Sequence, residues 1–340
     1  MPDPWYRRVT ALDRQWRIAR RPTGRPLRES DFEFAQGTAR EPGPGEIQVR
    51  TLFLGFDAAQ KGWMENASDS IEPTCIGQVM PALAIGTVTI SNSAHLVPGD
   101  KVYGLLGWQD YSTVCATTLT KLPDDNYLSA NLGVLGVTGM TAFFGLQRVG
   151  KPFVGDTLVI TGAAGATGSL VGQLGKLAGC RVIGIAGGPR KTEWLIGELG
   201  FDAAIDYRAF DFEEQLAATL SDGIDVLWDN VGGSTLNTLL AYLARHARVV
   251  VCGAISRSVR ADSSGPDNYY NLMYRRATME GFGAFDYRAD YPHARAKLAA
   301  LLSDGRLKYR EDIQHGLENA PQTLMRLFAG DNIGKQILKI

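Results

Sequence analysis

The stretch Leu158-Val159-Ile160-Thr161-Gly162-Ala163-Ala164-Gly165-Ala166-Thr167-Gly168-Ser169 decides the fold. Its first four residues form an apolar, β-branched run of the kind that fills a buried parallel strand, and an amphipathic stretch over 169–178 follows as a helix. Between them lies a turn of small residues. Strand, glycine-rich turn and helix together make a phosphate site, because the first backbone N–H groups of the helix lack partners and point at an anion. The turn reads A-x-x-G-x-x-G: Ala163 stands where a dinucleotide fingerprint has its first glycine, while Gly165 and Gly168 keep the places for pyrophosphate approach and close helix packing.

The surroundings support a doubly wound sheet. Apolar strands over 157–161, 181–186, 203–206, 226–230, 248–253 and 278–282 alternate with helical stretches, the spacing of a parallel α/β sheet. From 6 to 125 the pattern is different, with short strands over 46–54, 85–90 and 101–105. They are broken by turn chemistry such as Pro42-Gly43-Pro44-Gly45 and Pro98-Gly99-Asp100, which reads as an irregular all-β region. After 307 strand-like runs return around a helix at 320–329 and are expected to rejoin the first region. The division expected is 1–127 with 304–340 as one domain and 128–303 as the dinucleotide domain.

Composition narrows the partners. Among 340 residues 45 % are hydrophobic and 21 % charged, and the formal net charge of −1 gives no electrostatic reason to expect nucleic acid or an anionic membrane. No run approaches a membrane span of about 18–20 apolar residues. The four cysteines, Cys75, Cys115, Cys180 and Cys252, are widely spaced without metal-ligand spacing, which fits a reduced, cytoplasmic setting. Eight arginines in the first 28 residues raise the question of a transit peptide, but Asp3 and Asp13 interrupt them and no apolar signal core follows.

The strand at 181–186 indicates which dinucleotide binds. An NAD site ends this strand in a carboxylate for the ribose hydroxyls; here it ends in Gly187-Gly188-Pro189-Arg190-Lys191. Two glycines leave room for an added phosphate and Arg190 and Lys191 can bind it, which favours NADPH. Asn230, closing the fourth strand, offers donor and acceptor to a ribose or amide. Cys252, closing the fifth, reads locally as core.

Taken with Arg14-Gln15-Trp16, Gly62-Trp63-Met64, Gly107-Trp108-Gln109-Asp110-Tyr111, Gly136-Val137-Thr138-Gly139-Met140-Thr141-Ala142, Asp229-Asn230-Val231-Gly232-Gly233, Met279-Glu280-Gly281-Phe282 and Gly330-Asp331-Asn332-Ile333-Gly334-Lys335, the chain resembles the zinc-independent medium-chain dehydrogenases/reductases. Within these it is most similar to the group of leukotriene B4 dehydrogenase, prostaglandin reductase and alkenal double-bond reductase, in its bacterial curcumin-reductase-like branch. The resemblance implies a GroES-like β domain, a Rossmann domain, a homodimer, and NADPH-dependent reduction of a C=C bond conjugated to a carbonyl. By motif position it places Gly165, Ala166, Thr167 and Gly168 at the pyrophosphate and Lys191 with Tyr207 at the 2′-phosphate, where the reading of the turn above also puts Gly188 and Arg190. Asn230, Cys252, Gly253, Ala254, Ile255 and Ser256, with Phe282, Gly283 and Ala284, fall along the nicotinamide side, and Asn332 contacts the cofactor from the last segment.

Zinc is not expected, since Gln78 stands where a zinc-dependent relative carries histidine. Without a Lewis acid, an enone can still accept hydride at its β-carbon if its carbonyl oxygen meets a hydrogen-bond donor. The proton donor is the open point. The family's tyrosine after Ile-Ser is replaced in Ile255-Ser256-Arg257-Ser258, and its Pro-Tyr-Met motif in Asp57-Ala58-Ala59-Gln60-Lys61. Replacement donors are Tyr269, Tyr270 and Ser258, with the ribose hydroxyl and water as further ones, and Tyr269→Phe is expected to slow alkene reduction with NADPH binding retained. Phe56, Trp63, Trp108, Tyr111, Phe285 and Tyr287 are expected to shape an apolar substrate pocket, some serving the core instead. Quinone reduction and a weakly catalytic NADPH-binding redox sensor are the alternative readings.

Overall fold

The computed structural model describes residues 11–67, 70–123, 127–259 and 265–340, with the backbone alone at 258 and 259. Strands β1 (Leu12–Ile18) and β2 (Phe32–Thr38) form an antiparallel ribbon. Arg14 lies in β1, where its Nε meets Asp110 Oδ2 at 2.8 Å, so this part of the arginine-rich start is sheet. The next strands are β3 (Glu46–Gly55), β4 (Leu83–Ser91), β5 (Lys101–Leu105), β6 (Tyr111–Cys115) and β7 (Thr120–Leu122). One helix, α1 (Ala59–Glu65), interrupts the β pattern right after β3.

The second lobe carries β8 (Thr157–Thr161), β9 (Arg181–Ala186), β10 (Ala203–Asp206), β11 (Ile224–Asp229), β12 (Leu243–Val251) and β13 (Thr278–Gly281). All pair in parallel in the order β10-β9-β8-β11-β12-β13. This is the doubly wound Rossmann order, with its switch point beside β8. Side chains alternate across the sheet: Leu158, Ile160, Val226 and Trp228 belong to the core on one face, Val159, Ile183, Leu227 and Val249 to that on the other. Burial on both faces is why these strands read as continuous apolar runs.

The last strands, β14 (Glu311–His315) and β15 (Lys335–Lys339), return to the first lobe, where β15 runs antiparallel to β3 in a sheet ordered β14-β15-β3-β4-β5-β7. The helices that matter for the cleft are α2 (Val137–Phe144), α3 (Ala166–Leu177) and α4 (Pro189–Gly197). Helix α3 begins three residues before the amphipathic stretch does, because the small residues of the turn already adopt helical geometry behind Gly165.

Candidate active site

A cleft with a cavity volume of about 1230 Å³ is lined by residues of both lobes at the carboxyl ends of the parallel strands. At its centre β8 ends and the glycine turn leads into α3, and Gly165, Ala166, Thr167 and Gly168 all line the cleft. A Cβ on Gly168 would stand 2.6 Å from the Gly162 carbonyl oxygen and 2.8 Å from Ala163 Cα, so only glycine lets the helix start this close to the strand.

Lys191 and Tyr207 line the cleft beyond the end of β9. Lys191 Nζ donates to the Gly330 carbonyl at 2.6 Å. Burial, and after it the charge of Arg208, holds the Lys191 ammonium below the usual lysine range. Arg208 lies over the Tyr207 ring at 5.5 Å and its Nε donates to the Tyr207 hydroxyl at 3.3 Å. Among the four residues expected at the 2′-phosphate, Gly188 and Arg190 stand apart. Neither lines the cleft; Gly188 N–H is spent on Asp206 Oδ1 at 2.9 Å and Arg190 is exposed. The second cation beside Lys191 thus comes from the turn after β10, which carries no motif.

At the end of β11, buried Asp229 ties three cleft segments together. Its Oδ1 accepts from the Thr161 hydroxyl at 2.7 Å and its Oδ2 from Gly232 N–H at 2.9 Å, while its carbonyl takes Cys252 N–H at 2.9 Å and Gly253 N–H at 3.1 Å. Burial raises the Asp229 carboxyl above the usual range, with these hydrogen bonds opposing it. Asn230 lines the cleft, yet part of its capacity is internal: Nδ2 donates to the Thr161 carbonyl at 2.7 Å and Oδ1 accepts from Trp228 Nε1 at 3.1 Å. Cys252, Gly253, Ala254, Ile255 and Ser256 also line it. Burial, then the charge of Asp229, pushes the Cys252 thiol up to about 12, which makes it an inert neutral wall. Ser256 Oγ is buried there without a hydrogen-bond partner.

The final segment closes the cleft from above the glycine turn. Gly334 N–H donates to the Ala164 carbonyl at 2.8 Å, and Asn332, a lining residue, is 7 % exposed with Nδ2 on the Gly334 carbonyl at 2.9 Å.

The other end is apolar. Phe56, Trp63 and Phe285 line it, with Leu83 and Val137. Other aromatic residues expected there do not. Trp108 is fully buried between Phe32 and Phe56, with ring centroids 5.2 and 5.3 Å away, and Tyr287 stacks on Phe144 at 4.9 Å. Tyr111 sits in β6 opposite Arg50, and Phe282 meets Trp228 edge-on at 5.8 Å. Gly283 and Ala284 are likewise outside the lining, since packing claims the segment after β13. Tyr269 and Tyr270 are 65 % and 49 % exposed and outside it as well. The Ser258 side chain lies outside the described residues. Thr138 and Thr141 of α2 and Asp57 after β3 line this end without any signal in the sequence reading. Gln78 Oε1 takes the Cys75 N–H at 2.7 Å, and among the described residues no three His, Cys, Asp or Glu side chains stand together as a metal set.

A Rossmann sheet joined to an irregular β lobe, with a cleft at the glycine turn, is the layout of a dinucleotide-dependent oxidoreductase. The sequence matches the family described as the N-terminal domain of oxidoreductase over residues 14–122 and that described as zinc-binding dehydrogenase over residues 166–300. It is 38 % identical over 335 residues to the NADPH-dependent curcumin reductase of Escherichia coli (strain K12), covering 96 % of this chain and 97 % of that one. It is 37 % identical over 328 residues to the NADP-dependent 2-alkenal reductase of Nicotiana tabacum, covering 94 % of each. The crystal structure of CurA in complex with NADPH from Vibrio vulnificus superposes with a TM-score of 0.90 at 39 % identity, over 96 % of this chain and 98 % of that chain. The chain belongs to the zinc-independent medium-chain dehydrogenase/reductase family that includes the curcumin, alkenal and prostaglandin reductases.

Proposed function

We propose that this protein reduces the C=C bond of small hydrophobic or aromatic enones and enals with NADPH, adding hydride to the β-carbon and a proton to the α-carbon. One observation carries the reading: a single cleft joins the α3 N-terminus and the Lys191–Tyr207 end to a wall of Phe56, Trp63 and Phe285. The names of the relatives point the same way. The residues fit the cofactor on structural grounds, since the Gly168 cradle leaves no room for a side chain and Ser256 Oγ waits in the cleft unpartnered.

Gly165 to Gly168 would hold the pyrophosphate, Lys191 and Tyr207 with Arg208 the 2′-phosphate, and Asn230, residues 252–256 and Asn332 the nicotinamide side. When bound, NADPH supplies the hydride. The chain orients it through backbone held by Asp229 and keeps water from the apolar end with aromatic rings.

The test is NADPH oxidation, followed by absorbance, against a panel of alkenals, cinnamyl ketones and quinones. Turnover confined to the conjugated alkenes is expected; quinones alone would make the protein a quinone reductase, and binding without turnover a sensor. The two-domain division at 127/128 and 303/304, with 304–340 in the first domain, is part of the same proposal, supported by the return of β15 to β3. So is a homodimer, supported by the exposed cluster Tyr269, Tyr270, Met273 and Tyr274 near the sheet-edge strand β13. A cytoplasmic setting is supported by four free cysteines.

A further inference from the structure

We propose that Asp57, backed by Lys335, is the acid that delivers the proton to the substrate α-carbon, an inference that rests on the enone-reductase reading above. The reaction needs such a group. The stretches in which the resemblance implies tyrosines read Asp57-Ala58-Ala59-Gln60-Lys61 and Ile255-Ser256-Arg257-Ser258, and Tyr269 and Tyr270 stand exposed outside the cleft. Among the described lining residues that the first lobe and α2 contribute, Asp57 is the one that ionises. It adjoins Phe56, at the apolar end where an enone would be held.

Its placement is fixed by main chain. Phe56 N–H bonds the Gln336 carbonyl at 3.1 Å, extending the β3–β15 pairing, and Asp57 N–H donates to Gln60 Oε1 at 3.1 Å. That register brings Lys335, 278 residues away in sequence, to 2.5 Å from Asp57 Oδ1. The lysine side chain is 4 % exposed and the carboxylate 35 % exposed, so the cation is sealed behind an anion that opens on the cleft. Lys335 Nζ also lies 3.5 Å from Thr138 Oγ1, a second lining residue. Tyr103 is no rival: its hydroxyl is buried behind the lining residues rather than among them, and burial, then the Asp57 charge, pushes its phenol above the usual range.

Hydride adds to the β-carbon and the π pair moves onto the carbonyl oxygen as an enolate. Asp57, resting as the carboxylate, takes a proton from the Lys335 ammonium and passes one to the enolate α-carbon, which is a far stronger base than an amine and so drives the transfer. One C–H bond forms and one Nζ–H bond breaks. Asp57 ends as the carboxylate it began as, and solvent returns a proton to Lys335. The buried ammonium is therefore a proton store, and the carboxylate the group that touches substrate.

The test compares Asp57→Asn, Lys335→Met and the double variant. Each is expected to bind NADPH within about twofold of the parent by fluorescence titration and to lose on the order of 100-fold in kcat, the usual share of a general acid, with a larger solvent deuterium isotope effect. Asp57→Asn leaves the buried ammonium alone and weakens the fold, Lys335→Met leaves a carboxylate that already opens on the cleft, and the double variant removes both charges. A double variant that is stable but still slow supports the relay. Recovery of turnover in the double variant, or an Asp57→Asn enzyme within about threefold of the parent, overturns it. If the parent itself reduces no conjugated alkene, the enone-reductase reading fails instead.

Discussion

The two ends of the cleft are built from different material. The end at the glycine turn, the proposed nucleotide end, is mostly backbone: the start of α3, the Gly232 turn held by Asp229, and residues 252–253 hung on the Asp229 carbonyl. The apolar end, the proposed reaction end, is side chains, namely Phe56, Trp63, Asp57, Thr138 and Phe285, contributed by elements far apart in sequence. A backbone site tolerates little change at a few small residues, because its geometry is the fold itself. A side-chain site can be re-cut by single substitutions.

The sharpest way to break this contrast is Gly168→Val. The Cβ and branched methyls would drive α3 off the strand, and NADPH affinity is expected to fall more than about 100-fold, close to 3 kcal/mol, in a fluorescence titration; a change below about threefold would mean that backbone approach does not set the nucleotide end. Lys191→Ala is the next largest. It removes a charge-assisted contact worth about 1.5–3 kcal/mol, so NADPH should bind about 10- to 100-fold more weakly while NADH is unaffected. Lys191 also sets a sign for pH. Its ammonium is held below the usual lysine range, so raising the pH through that lowered value strips the charge that faces the phosphate. NADPH affinity should therefore fall on the alkaline side earlier than an ordinary lysine would dictate, and the alanine variant should lose that slope. The smallest effect belongs to Tyr269→Phe. The sequence reading expects slower turnover from it, but the phenol stands exposed outside the cleft, so kcat should stay within about twofold of the parent. A tenfold loss would return Tyr269 to the chemistry.

The parallel strands were legible because burial on both faces writes them as apolar runs, and the observed β8, β9 and β10 match the expected ranges. Strand β12 starts at Leu243, five residues earlier than the apolar run suggests, since Ala244, Arg245 and His246 hide it and the β11–β12 register shifts between Ile224 and Val226. The glycine turn, Lys191 and the 252–256 strand end, which line the cleft, were readable locally because each follows a strand, whereas Tyr207 came from the family resemblance alone. Asp57, Thr138, Lys335 and Arg208 were not, because each acquires its meaning only when β15 meets β3 or when β10 lies beside β9. Trp108, Tyr287 and Phe282 show the converse error. An aromatic ring has the same signature in a core as in a pocket, and here the core took them.

The bond from Gly334 to Ala164 has a consequence in time as well as space. A ribosome makes the glycine turn long before it makes residue 334, and β15 is also the strand that seats Lys335 beside β3. The second lobe can assemble its parallel sheet from its own contiguous residues, yet both ends of the cleft wait for the same closing segment. Long-range closure of this kind is slow, so the nascent chain passes through a stage with a built sheet and an unfinished enzyme. Competence to bind and competence to react are thereby set to arrive together, with the last strand.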